Sequence, residues 1–91
     1  MKFNLGQVVA TAGVANAMND SIDFSKDVYE AFERYVGGDW GCVDKTDWES
    51  NDAAAAGNDR IVAAYETICG RIWIITEWDR SVTTILFPSE Y

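Results

Sequence analysis

The strongest constraint on the fold is a pair of strand-forming runs near the C-terminus, residues 71–77 and 82–87. Both runs are rich in β-branched and aromatic residues, which favour extended strands. The four residues between them, Trp-Asp-Arg-Ser, form a short polar break. Two such runs joined by a short break are typical of a β-hairpin. The sequence therefore predicts an antiparallel strand pair against which the rest of the chain packs.

Two further segments have the composition of strands, residues 7–11 and residues 61–67. The second precedes the hairpin through Cys69-Gly70, where glycine suits the positive φ of a tight turn. The sequence thus predicts three consecutive strands and one earlier strand, which together make a sheet of about four strands.

Between these strands the apolar spacing changes to that of an α-helix. From residue 28 onward, apolar residues recur at i, i+3, i+4, i+7 and i+8, which places them on one side of a helix. They are Val28, Ala31, Phe32, Tyr35 and Val36. We expect Ser25 or Asp23 to cap this helix and Phe24 to pack back on it as a hydrophobic staple. Gly37-Gly38 is expected to end it.

A second helix is predicted after residue 46. Thr46 and Glu49 have the spacing of a capping box, and four alanines that follow have high helix propensity. Gly57 is expected to end this helix, and residues 13–18 form a short helix or turn. The chain is therefore predicted to be one α+β domain, residues 1–91. Its antiparallel sheet of about four strands has two or three helices packed on one face.

The residue types argue against catalysis. The chain has no histidine, which removes the commonest general base and the commonest zinc ligand. Its serines lie in no Gly-x-Ser-x-Gly elbow, and its glycines form neither a P-loop nor a dinucleotide fingerprint. Cys42 and Cys69 match no metal-ligand spacing, and we expect them to be reduced, unbridged and buried. The sequence predicts no enzyme, no catalytic residue, no cofactor and no metal.

Negative charge is concentrated in the middle of the chain. The net charge is −8, and residues 20–59 contain eleven acidic residues against three basic ones. Such a surface repels nucleic acid and suits a basic protein partner. The densest cluster consists of Asp44, Asp47, Glu49 and Asp52. We predict that it binds a partner; the alternative is that the acidity serves only solubility.

Two tryptophans have different expected roles. Trp40 lies between Asp39 and Gly41 in a predicted loop, and we expect it to be a buried anchor. Trp73 and Ile75 alternate onto the sheet face away from the predicted helices. We expect them to be partly exposed there, with Trp73 in a dimer or partner interface. The alternative is that a loop or the N-terminal segment covers them.

No stretch of the sequence is a candidate for a membrane span. A span needs about 20 apolar residues, and no run approaches that length. The apolar stretch at residues 8–17 is too short and too often broken by Asn and Gly for a signal peptide. We therefore expect a cytoplasmic protein with no membrane partner.

Four segments resemble a family of small proteins from bacterial plasmids and integrated mobile elements: residues 5–11, 38–41, 71–77 and 79–86. The two C-terminal segments are the most specific, while Cys69 and Trp78 depart from the pattern. Members often carry the label of a type I restriction modification subunit. An adenine methyltransferase needs an Asn/Asp-Pro-Pro-aromatic motif and a Gly-rich cofactor loop. This chain has one proline, Pro88, and no such loop. Its residues therefore contradict that label.

The resemblance implies an accessory protein of a mobile genetic element and no catalytic residue. We therefore expect a non-enzymatic protein-binding protein. One form of it would be an acidic inhibitor of a host defence complex, such as a CRISPR effector or a restriction enzyme. The alternative is a small structural or regulatory homodimer that assembles through its sheet.

Overall fold

The computed structural model describes residues 3–91, which form three helices and four strands. In chain order these are β1 (Gln7–Ala10), α1 (Ala12–Asp20), α2 (Ile22–Val36), α3 (Lys45–Ala56), β2 (Ile61–Thr67), β3 (Gly70–Thr76) and β4 (Val82–Leu86). A short 3-10 turn, Pro88–Glu90, follows β4. The predicted α+β class is confirmed.

The four strands form one sheet in the order β1-β4-β3-β2. The pairs β2–β3 and β3–β4 are antiparallel, as predicted, whereas β1 is parallel to β4. The sheet is therefore mixed rather than purely antiparallel. Parallel neighbours need a long crossover between them, and the three helices together with β2 and β3 supply it.

Both helix starts differ from their predicted positions. Helix α2 begins at Ile22, and its cap is Ser21, whose Oγ accepts from the Phe24 backbone N–H at 3.1 Å. Ser25 and Asp23 thus lie inside the helix, and Phe24 is a fully buried residue of its first turn. The Phe24 ring stacks on Phe87 with a centroid distance of 5.7 Å.

The second predicted cap is also wrong. Helix α3 begins at Lys45, and its cap is Asp44, whose Oδ1 accepts from the Asp47 backbone N–H at 2.8 Å. Thr46 and Glu49 therefore lie within the helix. An aspartate is at least as good a cap as a threonine, so the earlier residue begins the helix. Gly57 caps its C-terminus as predicted.

The core lies between the sheet and the first two helices. Val28, Ala31 and Tyr35 of the predicted stripe are buried, and Phe32 and Val36 are half-buried against them. Strands β2, β3 and β4 contribute alternate residues to this face, which are Ile61, Ala63, Tyr65, Ile72, Ile74 and Ile85. Helix α2 thus buries its apolar stripe on the face that the alternation of β3 predicts.

A chain of buried hydroxyl groups crosses this core. Tyr35 Oη lies 2.7 Å from Thr76 Oγ1, which lies 2.7 Å from Thr83 Oγ1, and Thr83 Oγ1 donates to the Leu5 carbonyl at 2.7 Å. A carbonyl oxygen only accepts, so the Thr83 proton is committed to Leu5. Thr76 must then donate to Thr83, and Tyr35 to Thr76. Burial raises the pKa of Tyr35 to about 12.

We expect Thr83→Val to lower the free energy of unfolding by about 1–3 kcal/mol, because it leaves the buried Leu5 carbonyl without its donor and the buried Thr76 hydroxyl without its acceptor. The control is Thr84→Val, which alters the next residue of β4 on the opposite, half-buried face. Urea unfolding followed by Trp fluorescence measures both. Equal losses in the two variants would contradict the role given to the hydroxyl chain.

The outer edge of β2 is closed by side-chain and backbone groups. Asn51 of α3 donates to the Val62 carbonyl at 2.8 Å and accepts from the Val62 N–H at 3.2 Å. At Ala64, the N–H donates to the Trp40 carbonyl at 3.3 Å, and the carbonyl accepts from the Cys42 N–H at 2.7 Å. The side-chain amide of Asn51 thus takes the place of a peptide group in an adjacent strand, and α3 lies along this edge.

Trp40 is fully buried, which confirms the predicted anchor. Its ring packs between those of Tyr35 and Phe3, with centroid distances of 5.4 and 5.9 Å. The next residue, Gly41, has φ +77°, and a Cβ atom there would lie 2.0 Å from the Ala64 carbonyl oxygen. Only glycine therefore lets this segment approach β2 closely.

Arg80, in the turn between β3 and β4, fixes the end of α3. Its Nη2 donates to the carbonyls of Ala54 and Gly57 at 2.6 and 3.0 Å. Its Nη1 donates to the carbonyls of Asp59 and Glu77 at 2.7 and 3.3 Å. One guanidinium therefore satisfies carbonyls at the C-terminus of α3 and in the β3–β4 turn. Its own backbone has φ +60°.

We expect Arg80→Lys to destabilise the protein by about 1.5–3 kcal/mol, since an ammonium cannot reproduce the planar set of donors. Arg71→Lys is the matched control, because Arg71 forms an exposed ion pair with Glu66 and such pairs contribute about 0–1 kcal/mol. Thermal unfolding by circular dichroism compares the two. An Arg80 variant as stable as the Arg71 variant would show that the contacts of Arg80 are dispensable.

Candidate partner-binding site

A cleft of about 560 Å³ lies where the start of α3 meets β2 and β3. Its chemically distinctive side chains are Cys42, Asp44, Asp47, Ser50, Arg71 and Trp73. Asp44 is placed by its role as the cap of α3, and Asp47 follows one turn later. Trp73 reaches the cleft from β3, on the sheet face opposite α2.

The structure brings together only some of the predicted site residues. Asp44, Asp47 and Trp73 line the same cleft, although Trp73 is distant in sequence from the two aspartates. Asp52 points elsewhere and accepts from the Trp40 indole N–H at 2.9 Å, so it also supports the fold. Glu49 is exposed on α3, outside the lining of the cleft.

The expectation that Ile75 is partly exposed is wrong, because only 2% of its surface is accessible. Trp73 is half-buried. The C-terminal residue covers this face: the Tyr91 ring packs edge-on against Trp73 with a centroid distance of 5.6 Å. Arg60 in turn lies over the Tyr91 ring, 5.1 Å from its centroid. The cover therefore comes from the C-terminal segment rather than from a loop or the N-terminus.

The cleft is electrostatically negative. Its one cation, Arg71, is paired with Glu66 at 2.7 Å, and that hydrogen bond raises the pKa of Arg71. Within residues 3–91, neither Asp44 nor Asp47 forms an ion pair. Two carboxylates beside an indole are suited to a Lys or Arg side chain, because carboxylates make charge-assisted hydrogen bonds and the indole face attracts cations.

Arg71 and Cys42 were missed as residues of this site. The alternation of β3 contains the signal for Arg71, since residues two apart on a strand share a face and Arg71 lies two before Trp73. Cys42 had no such signal. Its position follows from the backbone pairing of its segment with Ala64, which local sequence does not specify.

Both cysteines are free thiols and both are exposed, whereas the sequence predicted buried ones. Cys42 borders the cleft, and Cys69 lies in the tight turn between β2 and β3. The Cys42 N–H donates to the Ala64 carbonyl and the Cys69 N–H to Thr67 Oγ1, and both side chains face solvent.

We expect iodoacetamide to add two adducts to the native protein without reductant or denaturant, because both thiols are exposed. Intact-mass spectrometry over time measures the addition, and the denatured protein gives the maximum rate. Adducts that form only after denaturation would contradict the exposure of these residues.

Comparisons with protein-family models, curated proteins and solved structures give no match. Within residues 3–91, no three side chains of His, Cys, Asp or Glu converge in a geometry that could hold a metal ion. No helix in that part of the chain has the length and apolar character needed to cross a membrane. A functional assignment therefore rests on the geometry of the cleft.

Proposed function

We propose that the protein is a non-enzymatic protein-binding module whose cleft binds a basic side chain of a partner protein. The observation that carries this proposal is the juxtaposition of the Asp44 and Asp47 carboxylates with the half-buried indole of Trp73. Tryptophan is enriched among the residues that dominate binding energy at protein interfaces. The remaining acidic residues would steer a basic partner towards the cleft.

The biological setting of the proposal comes from the sequence resemblance. A plasmid or mobile-element accessory protein would act in the cytoplasm of its host. Inhibition of a defence complex, such as a CRISPR effector or a restriction enzyme, is the role that suits an acidic binding module. Nucleic-acid channels in such complexes are lined by Lys and Arg, and a net charge of −8 is complementary to them.

A homodimer assembled through the sheet is the alternative. Its main support was an exposed apolar patch around Trp73 and Ile75. Tyr91 packs against Trp73 and Ile75 is buried, so the patch is much smaller than expected. Light scattering across a concentration series measures the molecular mass in solution. It distinguishes the homodimer from the binding module, because only the homodimer requires self-association.

We expect Asp44→Asn combined with Asp47→Asn to weaken partner binding about tenfold and to flatten its salt dependence, since two carboxylates lose their charge. Asparagine is as good a helix cap as aspartate, so α3 keeps its start. The measurement is capture of partners from a host lysate with tagged wild-type protein, followed by titration of the purified partner at several salt concentrations.

Glu49→Gln is the matched control, because it removes one charge from the same helix outside the cleft. It should leave affinity nearly unchanged. Attachment of a bulky maleimide to Cys42 should block binding, whereas the same group on Cys69 should not. Equal affinity of the wild type and the Asp44/Asp47 variant would contradict the proposal and show that the acidic cluster serves only solubility.

A further inference from the structure

The two edges of the sheet differ in how their backbone groups are satisfied. At the start of β1, the Gln7 N–H donates to the Ser81 carbonyl, and just after β1, the Thr11 N–H donates to the Ile85 carbonyl, both at 3.1 Å. Backbone groups alternate in direction along a strand, so those of Val8 and Ala10 point away from β4. Among residues 3–91, these outward groups make no hydrogen bond.

The opposite edge shows that the fold can close such a strand. There, Asn51 pairs with the outward groups of Val62, and Trp40 and Cys42 pair with those of Ala64. Natural sheets also protect their edges with lysine, proline or bulges. The sequence of β1, Gln-Val-Val-Ala, contains neither lysine nor proline, and its register with β4 is continuous. The β1 edge is therefore open to another strand.

An apolar groove runs beside this open edge. It has a volume of about 230 Å³ and is lined by Val8, Ala10, Met18, Val28, Tyr29 and Phe32. Val8 and Tyr29 are 45% and 64% exposed, which is high for such side chains. Helix α2 and strand β1 thus form two walls of this groove. A strand added to β1 would place every second side chain in this groove.

We propose that the β1 edge is a second binding site, which takes an extended segment of a partner protein by strand addition. The alternate side chains of that segment would be apolar and enter the groove, and the others would be basic. The net charge of the chain, −8, favours basic residues at these other positions.

A second copy of this chain fits the edge less well. Each copy carries a net charge of −8, so two copies repel each other where their helices approach. A strand of four residues also spans only about 13 Å. Stable dimers bury roughly 1,200 Å² or more, which contacts along so short a strand do not provide.

This site goes beyond the proposed function of the cleft. In the sheet order, β1 and β2 are at opposite edges, roughly 14 Å apart at about 4.8 Å per strand. A partner could therefore occupy either site without the other. Each site can be tested while the other is left intact.

The test uses a capped peptide of alternating lysine and valine, seven residues long, added to the full-length protein. By NMR, we expect the peptide to slow hydrogen exchange at the Val8 and Ala10 amides and to shift the Tyr29 ring signals. Two N-methylated forms of the peptide separate strand addition from charge attraction, one methylated on every valine and one on every lysine. In a strand only one of these sets of N–H groups faces β1. One form should bind about tenfold more weakly than the other.

Tyr29→Ser tests the groove without disturbing the core or changing the charge, because the side chain is largely exposed; it should weaken peptide binding. The Asp44→Asn/Asp47→Asn variant should bind the peptide nearly as well as the wild type. Peptide-induced shifts at Trp73 without protection of Val8 would assign binding to the cleft and overturn the proposal. Equal affinity of both N-methylated peptides, or protection of Val8 by dimerisation in the absence of peptide, would also overturn it.

Discussion

The buried chain of hydroxyl groups determines how the layers of this protein fit together. Tyr35, Thr76, Thr83 and the Leu5 carbonyl belong to α2, β3, β4 and the N-terminal segment, and each depends on the next for a hydrogen bond. In an apolar core an unpartnered hydroxyl costs about 1–3 kcal/mol. A shift of α2 along the sheet would break the chain, so the hydroxyls set the position of the helix more narrowly than its apolar stripe does. The same chain draws the N-terminal segment beneath α2, from where it continues into β1 parallel to β4.

The sequence predicted those parts of the fold that depend on near neighbours in the chain. The β3–β4 hairpin, β2 and the stripe of α2 follow from periodicity and turn residues, and all were found. The helix starts were wrong because several residues compete as caps. Ser21 begins α2 in place of Ser25 because α1 ends immediately before it, a fact that lies outside the capping pattern itself. Local sequence specifies neither the sheet edge at which β1 pairs nor the direction of that pairing, and the β2 edge is occupied by Asn51 and Trp40 through contacts far apart in sequence.

The candidate site was predictable residue by residue but not as an arrangement. Asp44 and Asp47 were selected by charge and Trp73 by alternation, yet no local pattern places α3 beside β3. That placement depends on the Asn51 amide at the β2 edge and on Arg80 at the other end of the helix. Ile75 is a second case in which local sequence predicts the direction of a side chain but not its surroundings. Its side chain points away from the helices as predicted, but it is buried on a face that the C-terminal residue, Tyr91, helps to cover.

The contrast between the two sheet edges has a consequence for binding. At β2, hydrogen bonds from α3 and from the Trp40 segment fix the walls of the cleft, so a partner would meet carboxylates and an indole that are already in position. Preorganisation of this kind lowers the entropy lost on binding. At β1, the outward groups of Val8 and Ala10 have no hydrogen-bond partner among residues 3–91, and an incoming strand would supply one. Binding at β1 then depends on main-chain geometry and on alternation rather than on a particular side chain. The rigid edge is therefore suited to selecting one basic residue, and the open edge to holding the extended segment of a partner.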